Sequence, residues 1–242
     1  MSRRFAVVHE APADFTLASE LADRELVEAI DWLDADQLPD HVSWEHSVEG
    51  ERFTWKAIPR LARVVGIRAH GHFGGEPGAP DAAAARRALL YILHVMPDVD
   101  GIVLIRDRDD EPDRRDGLEQ ARTHDRSGKP VVIGFAVVER ENWVLSGFEP
   151  QGDEENARYD ALRQELHFDP RTHSHELTSG KDDNATRSPK RVLRALTHDD
   201  RDREARCWQV TPLSTLKQRG AENGLAAYLA EVRQYLAPLI GS

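Results

Sequence analysis

Apolar residues fall along the chain in short continuous runs that alternate with stretches of helical spacing. Phe5 to Val8 is a four-residue apolar run that reads as a buried first strand. Asp14 then stands as the expected N-cap of a helix reaching about Leu33, with Leu26, Ile30 and Leu33 recurring on one face. Residues 41–68, rich in Trp, Val and Phe, suggest two strands, and the Gly- and Pro-dense 70–80 segment suggests a loop. Asp81 is the expected cap of an Ala- and Leu-rich helix that stops before Pro97. Gly101 to Ile105 reads as a second buried strand, about Asp113 to His124 as a helix, and Val131 to Val138 as a third buried strand after the Gly128-Lys129-Pro130 turn.

Strands that are apolar throughout, separated by helices, are the pattern of a mostly parallel sheet covered on both faces. The expected fold class is therefore α/β. After Trp143 the pattern changes. Residues 149–206 are polar, with helical patterns at about Glu155–Leu166 and Ser188–Leu196. The last helix is the clearest, because Leu225, Tyr228, Leu229, Val232, Tyr235 and Leu236 keep one apolar face. The expected organisation is a core domain at 1–148 and a helical C-terminal extension at 149–242, with no internal repeat.

Composition narrows the classes. At 40% hydrophobic and 31% charged residues the chain has material for a real core. No apolar run approaches the roughly 20 residues that a membrane helix needs. Met1-Ser2-Arg3-Arg4 and the short apolar run after it do not make a signal peptide. Cys207 is the only cysteine, which excludes an internal disulfide and a cysteine zinc cage, and beside Trp208 it reads as a small buried hydrophobe. These features together point to a cytoplasmic protein without membrane contact. The net charge of −11 argues against the simplest kind of nucleic-acid binder, although a metalloenzyme gathers carboxylates and bound cations invert the local field.

The candidate chemistry lies where strands end. Ligands of open α/β sheets bind at the carboxyl ends of strands, and three strands here run into acids. Val7-Val8-His9-Glu10 closes the first, Ile105-Arg106-Asp107-Arg108-Asp109 the second, and Val138-Glu139-Arg140-Glu141 the third. Alternate residues of an extended segment face the same way, so Asp107 pairs with Asp109 and Glu139 with Glu141. A hard cation such as Mg²⁺ takes oxygen ligands and needs only a few carboxylates facing one cavity.

These residues resemble a known family. Val7-Val8-His9-Glu10 followed by a helix looks like the opening of a Toprim domain, and Leu104-Ile105-Arg106-Asp107-Arg108-Asp109 looks like its Asp-x-Asp strand. Val138 to Leu145 is similar to a small bacterial Toprim-like family whose members sit beside an ATPase in operons thought to act in phage defence. Ser188-Pro189-Lys190-Arg191 and Asn223-Gly224 fit that family loosely. One departure is that Ala11-Pro12 stands where Toprim domains carry glycine after the glutamate. The resemblance implies a Toprim-like (Rossmann-like) sheet and a nuclease that uses Mg²⁺ or Mn²⁺ on nucleic acid, DNA ahead of RNA, with an ATPase partner. It implies Glu10 as general acid/base, a ligand as well in a shared site, with Asp107 and Asp109 as metal ligands. Glu139 and Glu141 are candidates for a second metal position, and Lys181, Lys190 and Arg191 could neutralise substrate phosphates.

Other readings stay open. An Asp-x-Asp after an apolar strand also opens haloacid-dehalogenase-type phosphohydrolases, although Glu111 stands where they carry Thr or Val. His70-Gly-His72 and His173-Ser-His175 have zinc-ligand spacing. The acids could also hold a structural ion in a non-catalytic subunit.

Overall fold

The computed structural model describes residues 2–178, 180 and 182–241, so Lys181 lies outside the described residues. The chain divides into two compact units, Met1–Arg106 with Glu111–Gly134 and Ala230–Ser242, and Asp107–Asp110 with Phe135–Leu229. The boundary thus falls after Gly134 rather than after residue 148, and the end of the chain belongs with the first unit rather than with a separate extension.

The first unit is built on a sheet of β1 (Arg3–Val8), β2 (Val42–Glu45), β3 (Gly101–Asp107) and β4 (Val131–Ala136), in the order β2-β1-β3-β4. β1 pairs in parallel with β2 and with β3, and the register Val8↔Leu104 places Glu10 level with Arg106. The apolar runs are strands because both faces are covered: Phe5 to Val8 and Ile102 to Ile105 are all buried. α1 (Pro12–Ala29) connects β1 to β2 on one side, and α2 (Ile58–Val64) and α3 (Ala82–Val95) lead across to β3. α4 (Arg114–His124) then carries the chain on to β4. β1→β2 and β3→β4 step in opposite directions, so right-handed crossovers put α1 and α4 on opposite faces. This is the α/β architecture expected from the sequence.

The boundaries of α1 differ from the sequence reading. Its N-cap is Ala11, Pro12 occupies the first turn, and Asp14 lies inside the helix, where its Oδ2 accepts from the Ala11 and Glu10 backbone N–H groups at 2.6 and 3.2 Å. Proline at the first helical position, which loses only an N–H that has no helical partner, was the better start signal. The 41–68 segment holds β2, the two-residue strands Ser47–Val48 and Glu51–Arg52, and α2. Within 70–80, His72–Phe73 and Glu76–Pro77 form a minimal antiparallel hairpin.

The second unit is helical. α5 (Arg140–Ser146), α6 (Gly152–Leu166), α7 (Pro189–Thr197), α8 (Arg201–Gln209) and α9 (Leu213–Arg219) are followed by α10 (Leu225–Tyr235), whose last turns belong to the first unit. Trp143 stacks on Tyr228 at 5.1 Å between ring centroids. Beneath lies a knot of buried polar groups. The amide of Asn223 donates to Asn142 O (2.8 Å), Ser146 Oγ (2.8 Å) and Ser174 Oγ (2.9 Å), while its backbone O accepts from Trp143 Nε1 at 2.9 Å. A satisfied buried network stabilises; with one member removed, the groups left behind bear their desolvation cost unpaired. Asn223→Ala is expected to lose about 2 kcal/mol, read by urea denaturation, and a loss under a few tenths would show that water replaces the amide.

Among the described residues no helix is long and apolar enough to cross a membrane.

Candidate functional site

The strand order reverses between β1 and β3, which makes the carboxyl ends of these two strands the place where an open α/β sheet binds ligands. On the β1 side His9 is fully buried. Its N–H donates to Phe53 O and its carbonyl accepts from Trp55 N, both at 3.1 Å. Burial, then His46, pushes its imidazole down to about 4, so it is neutral at pH 7. Glu10 follows and is partly exposed; its Oε1 accepts from Arg106 Nη1 at 3.0 Å.

Arg106 organises this edge. Its Nε donates to Asp81 Oδ2 at 2.7 Å, and Arg114 Nε lies 2.9 Å from the same oxygen. The guanidinium lies 5.2 Å from the centre of the Trp55 ring, and Trp55 in turn donates its Nε1–H to Ile105 O at 2.7 Å. Asp81 does sit at the N-cap of α3, in a left-handed conformation with φ 64°, but its side chain caps no helix N–H. Its carboxylate holds the two arginines instead. Sequence reasoning missed Asp81, Arg106 and Arg114 as a group. The available signal was a cation set between an apolar strand and an acidic segment.

β3 ends at Asp107, and Asp109 has φ 48°, so the strand alternation that would face the two acids together stops at Asp107. In the second unit, Arg108 N donates to Ala136 O (2.9 Å) and Asp109 N to Val138 O (3.1 Å), so this acidic segment runs beside the one that leads to Glu139. Glu139 and Glu141 are not at a strand end. β4 stops at Ala136, Glu139 is the N-cap of α5 with its N–H donating to Asn142 Oδ1 at 3.0 Å, and Glu141 lies in the helix. The period-2 argument for that pair therefore does not apply.

Glu139 is buried, with the Lys190 ammonium 3.9 Å away and that ammonium 3.2 Å from Asp183. Burial alone would lower the Lys190 pKa; Glu139 and Asp183 outweigh it and leave it raised. Arg140 Nη2 lies 3.2 Å from Glu141 and 3.4 Å from Glu204. Arg191 donates to both oxygens of Glu165, at 2.8 and 3.0 Å. Of the cations expected to meet phosphate, Lys190 thus stands beside a candidate acid and Arg191 is engaged by a different one.

Carboxylate oxygens such as those of Asp107, Asp109 and Glu139 are the donor type that a hard divalent cation takes. Among the described residues no group of three or more His, Cys, Asp or Glu is disposed to hold a metal ion. His70 and His72 are exposed, His72 within the hairpin, and the rings of His173 and His175 lie 5.8 Å apart. Cys207 is buried, its thiol pushed up to about 12 by burial, which fits a packing role and not a nucleophile.

No family model, curated protein or solved structure matches this chain.

Proposed function

We propose that the protein is a Mg²⁺- or Mn²⁺-dependent nuclease that cleaves or nicks phosphodiester bonds, with DNA ahead of RNA as substrate. The observation that carries this reading is the sheet order. The neighbouring parallel strands β1 and β3, between which the order reverses, are the ones that lead into Glu10 and end at Asp107. In the proposal Asp107 and Asp109 hold the ion, and Glu139 is better supported than Glu141 for a second position, because Asp109 N bonds Val138 O, one residue before Glu139. Glu10 moves the proton. The bound metal would polarise a phosphoryl oxygen and activate water. The ATPase partner and a part in phage defence rest on the Toprim resemblance alone, and comparing cleavage with and without such a partner tests them.

The test is incubation of plasmid DNA and of RNA with Mg²⁺, Mn²⁺ or EDTA, beside Asp107→Asn. Metal-dependent cleavage is expected in the unaltered protein only, and cleavage that persists in EDTA and in the variant would sink the reading. A second measurement needs no substrate. A metal at a hundredfold excess over its dissociation constant stabilises a folded protein by about 2.7 kcal/mol. Thermal melts should show that gain with Mn²⁺ in the unaltered protein and not in Asp107→Asn; equal gains would place the metal elsewhere. One observation favours a second reading, a non-catalytic subunit: Glu10, Glu139 and Glu141 each have a cationic side chain within 4 Å. Absent cleavage together with an unchanged melt would support it.

A further inference from the structure

We propose that Lys56, Arg63, Arg68 and Arg87, on α2, α3 and the segments beside them, form the surface that holds a nucleic-acid backbone. The identity of the polyanion rests on the nuclease reading. The surface itself lies outside the acidic motifs and needs no metal.

Three observations point to it. First, positive charge is concentrated here. Residues 56–94 carry six lysines or arginines and two acids, in a chain whose net charge is −11. A chain this acidic repels a polyanion on average, so it can hold one only at a local surface of the opposite sign. Second, these cations are uncommitted. Lys56, Arg63 and Arg68 are exposed and Arg87 is partly exposed, and among the described residues none of the four has an ion pair or a side-chain hydrogen bond. Lys190 and Arg191, by contrast, already face Glu139, Asp183 and Glu165. A guanidinium with no carboxylate on it has its whole fork for phosphate oxygens.

Third, the segment that carries them touches the candidate edge in two places. Trp55 N, next to Lys56, donates to His9 O at 3.1 Å, one residue before Glu10. Asp81, just before α3, holds Arg106 at 2.7 Å. Between these two points α2 packs against α3, and Arg86 ties the hairpin to α3 by donating to His72 O at 3.2 Å. On α3 the buried Ala85, Ala88, Leu89 and Ile92 mark the inner face, which turns Arg87 outward. A backbone lying across α2 and α3 would thus lead toward the carboxyl end of β1. Contacts of this kind go to phosphates and carry no sequence information, so the surface positions the strand without choosing it.

The experiment measures binding in EDTA and needs no cleavage. A fluorescent single-stranded and a duplex oligonucleotide are titrated by anisotropy at several salt concentrations. The unaltered protein is compared with the triple variant Arg63→Gln, Arg68→Gln, Arg87→Gln. A control triple, Arg126→Gln, Arg201→Gln, Arg206→Gln, changes the net charge equally at exposed positions elsewhere. The first triple should bind at least about tenfold more weakly, the worth of one charge-assisted contact. Its dependence of log K on log salt should shrink by about 2.7 for the duplex, at about 0.9 per phosphate. Equal weakening in the control would reduce the effect to overall charge, and the inference fails. Val64 and Leu90, exposed on the same two helices, separate a second kind of occupant. Val64→Ser with Leu90→Ser should leave oligonucleotide affinity unchanged, and a loss there with an unaltered salt slope would overturn the phosphate argument. No oligonucleotide binding, together with capture of a polyglutamate peptide that the first triple abolishes, would assign the surface to an acidic protein and overturn the inference too. Metal-dependent cleavage is scored separately. Cleavage by the unaltered protein that is undiminished in the first triple sinks this inference and keeps the nuclease reading. Oligonucleotide binding lost in that triple, with no cleavage under any metal, does the reverse.

Discussion

Replacing Asp23 by Asn should stabilise the protein by about 3 kcal/mol at pH 8 and by almost nothing at pH 3.5. Asp23 lies on α1, where burial pushes its carboxyl up to about 6; the hydrogen bond from Trp44 Nε1, at 2.6 Å, works against that shift and Glu20 adds to it. The unfolded chain ionises this group near its ordinary value of 3.8. Between those two values the folded state holds a proton that the unfolded state has released. The stability that comes with it is complete below the unfolded value and is lost as pH rises through 6. Above pH 6 the native protein carries a charge in a place that disfavours it. Asparagine cannot ionise, yet its side-chain oxygen can still accept from the Trp44 indole. Urea denaturation of both proteins at pH 8, 6, 4.5 and 3.5 checks this. The gain should fall steadily with pH. A constant difference, or a loss at pH 8, would mean that Asp23 is ionised without penalty and that its contact with Trp44 contributes more than the charge costs.

How far the sequence could be read depended on whether the physical cause was local. Phe5–Val8 and Ile102–Ile105 were visible because strands covered on both faces must be apolar at every position, so no alternation dilutes the run. Helix α10 was visible for a similar reason, its buried Leu225, Tyr228, Leu229 and Val232 recurring at helical spacing. Errors came where a local signal had two meanings. Asp14 looked like a cap but acts from inside the first turn, because Pro12 starts the helix two residues earlier. Val137 and Val138 looked like the end of a strand, yet the bond between Glu139 N and Asn142 Oδ1 already belongs to the start of a helix. The candidate acids could be found because they follow apolar strands directly. The groups around them could not, because Asp81 and Arg106 are 25 residues apart and the Asn142 and Asn223 pair 81 apart, and no short-range pattern records such pairings. The division into units was hidden for the same reason, since the chain leaves the first unit at Asp107 and again at Phe135 and returns to it at Glu111 and at Ala230.

A second large effect separates a rule of helix propensity from a tertiary constraint. Gly117 lies in the first half of α4, and in a helix interior Gly→Ala ordinarily stabilises by about 1 kcal/mol. Here the opposite is expected. A Cβ at this position would come within 1.7 Å of Pro80 O and 2.6 Å of Ala82 N, both backbone atoms that cannot rotate away. The helix can lie against the 80–82 segment only because residue 117 has no side chain. That segment carries Asp81, whose carboxylate holds Arg106 at 2.7 Å and Arg114 at 2.9 Å. Gly117→Ala must therefore either push α4 outward or displace Asp81, and overpacking of this kind costs about 3 kcal/mol at the upper end of its usual range. Gly128 provides the control: its φ is +72° and nothing lies within 4 Å of an added Cβ. Gly128→Ala therefore carries backbone strain alone, on the order of 1 kcal/mol. The two variants are compared by urea denaturation at one pH. Gly117→Ala should lose clearly more than Gly128→Ala. If Gly117→Ala is instead more stable than the unaltered protein, the helix does not approach the 80–82 backbone this closely, and the placement of Asp81 between its two arginines loses its support.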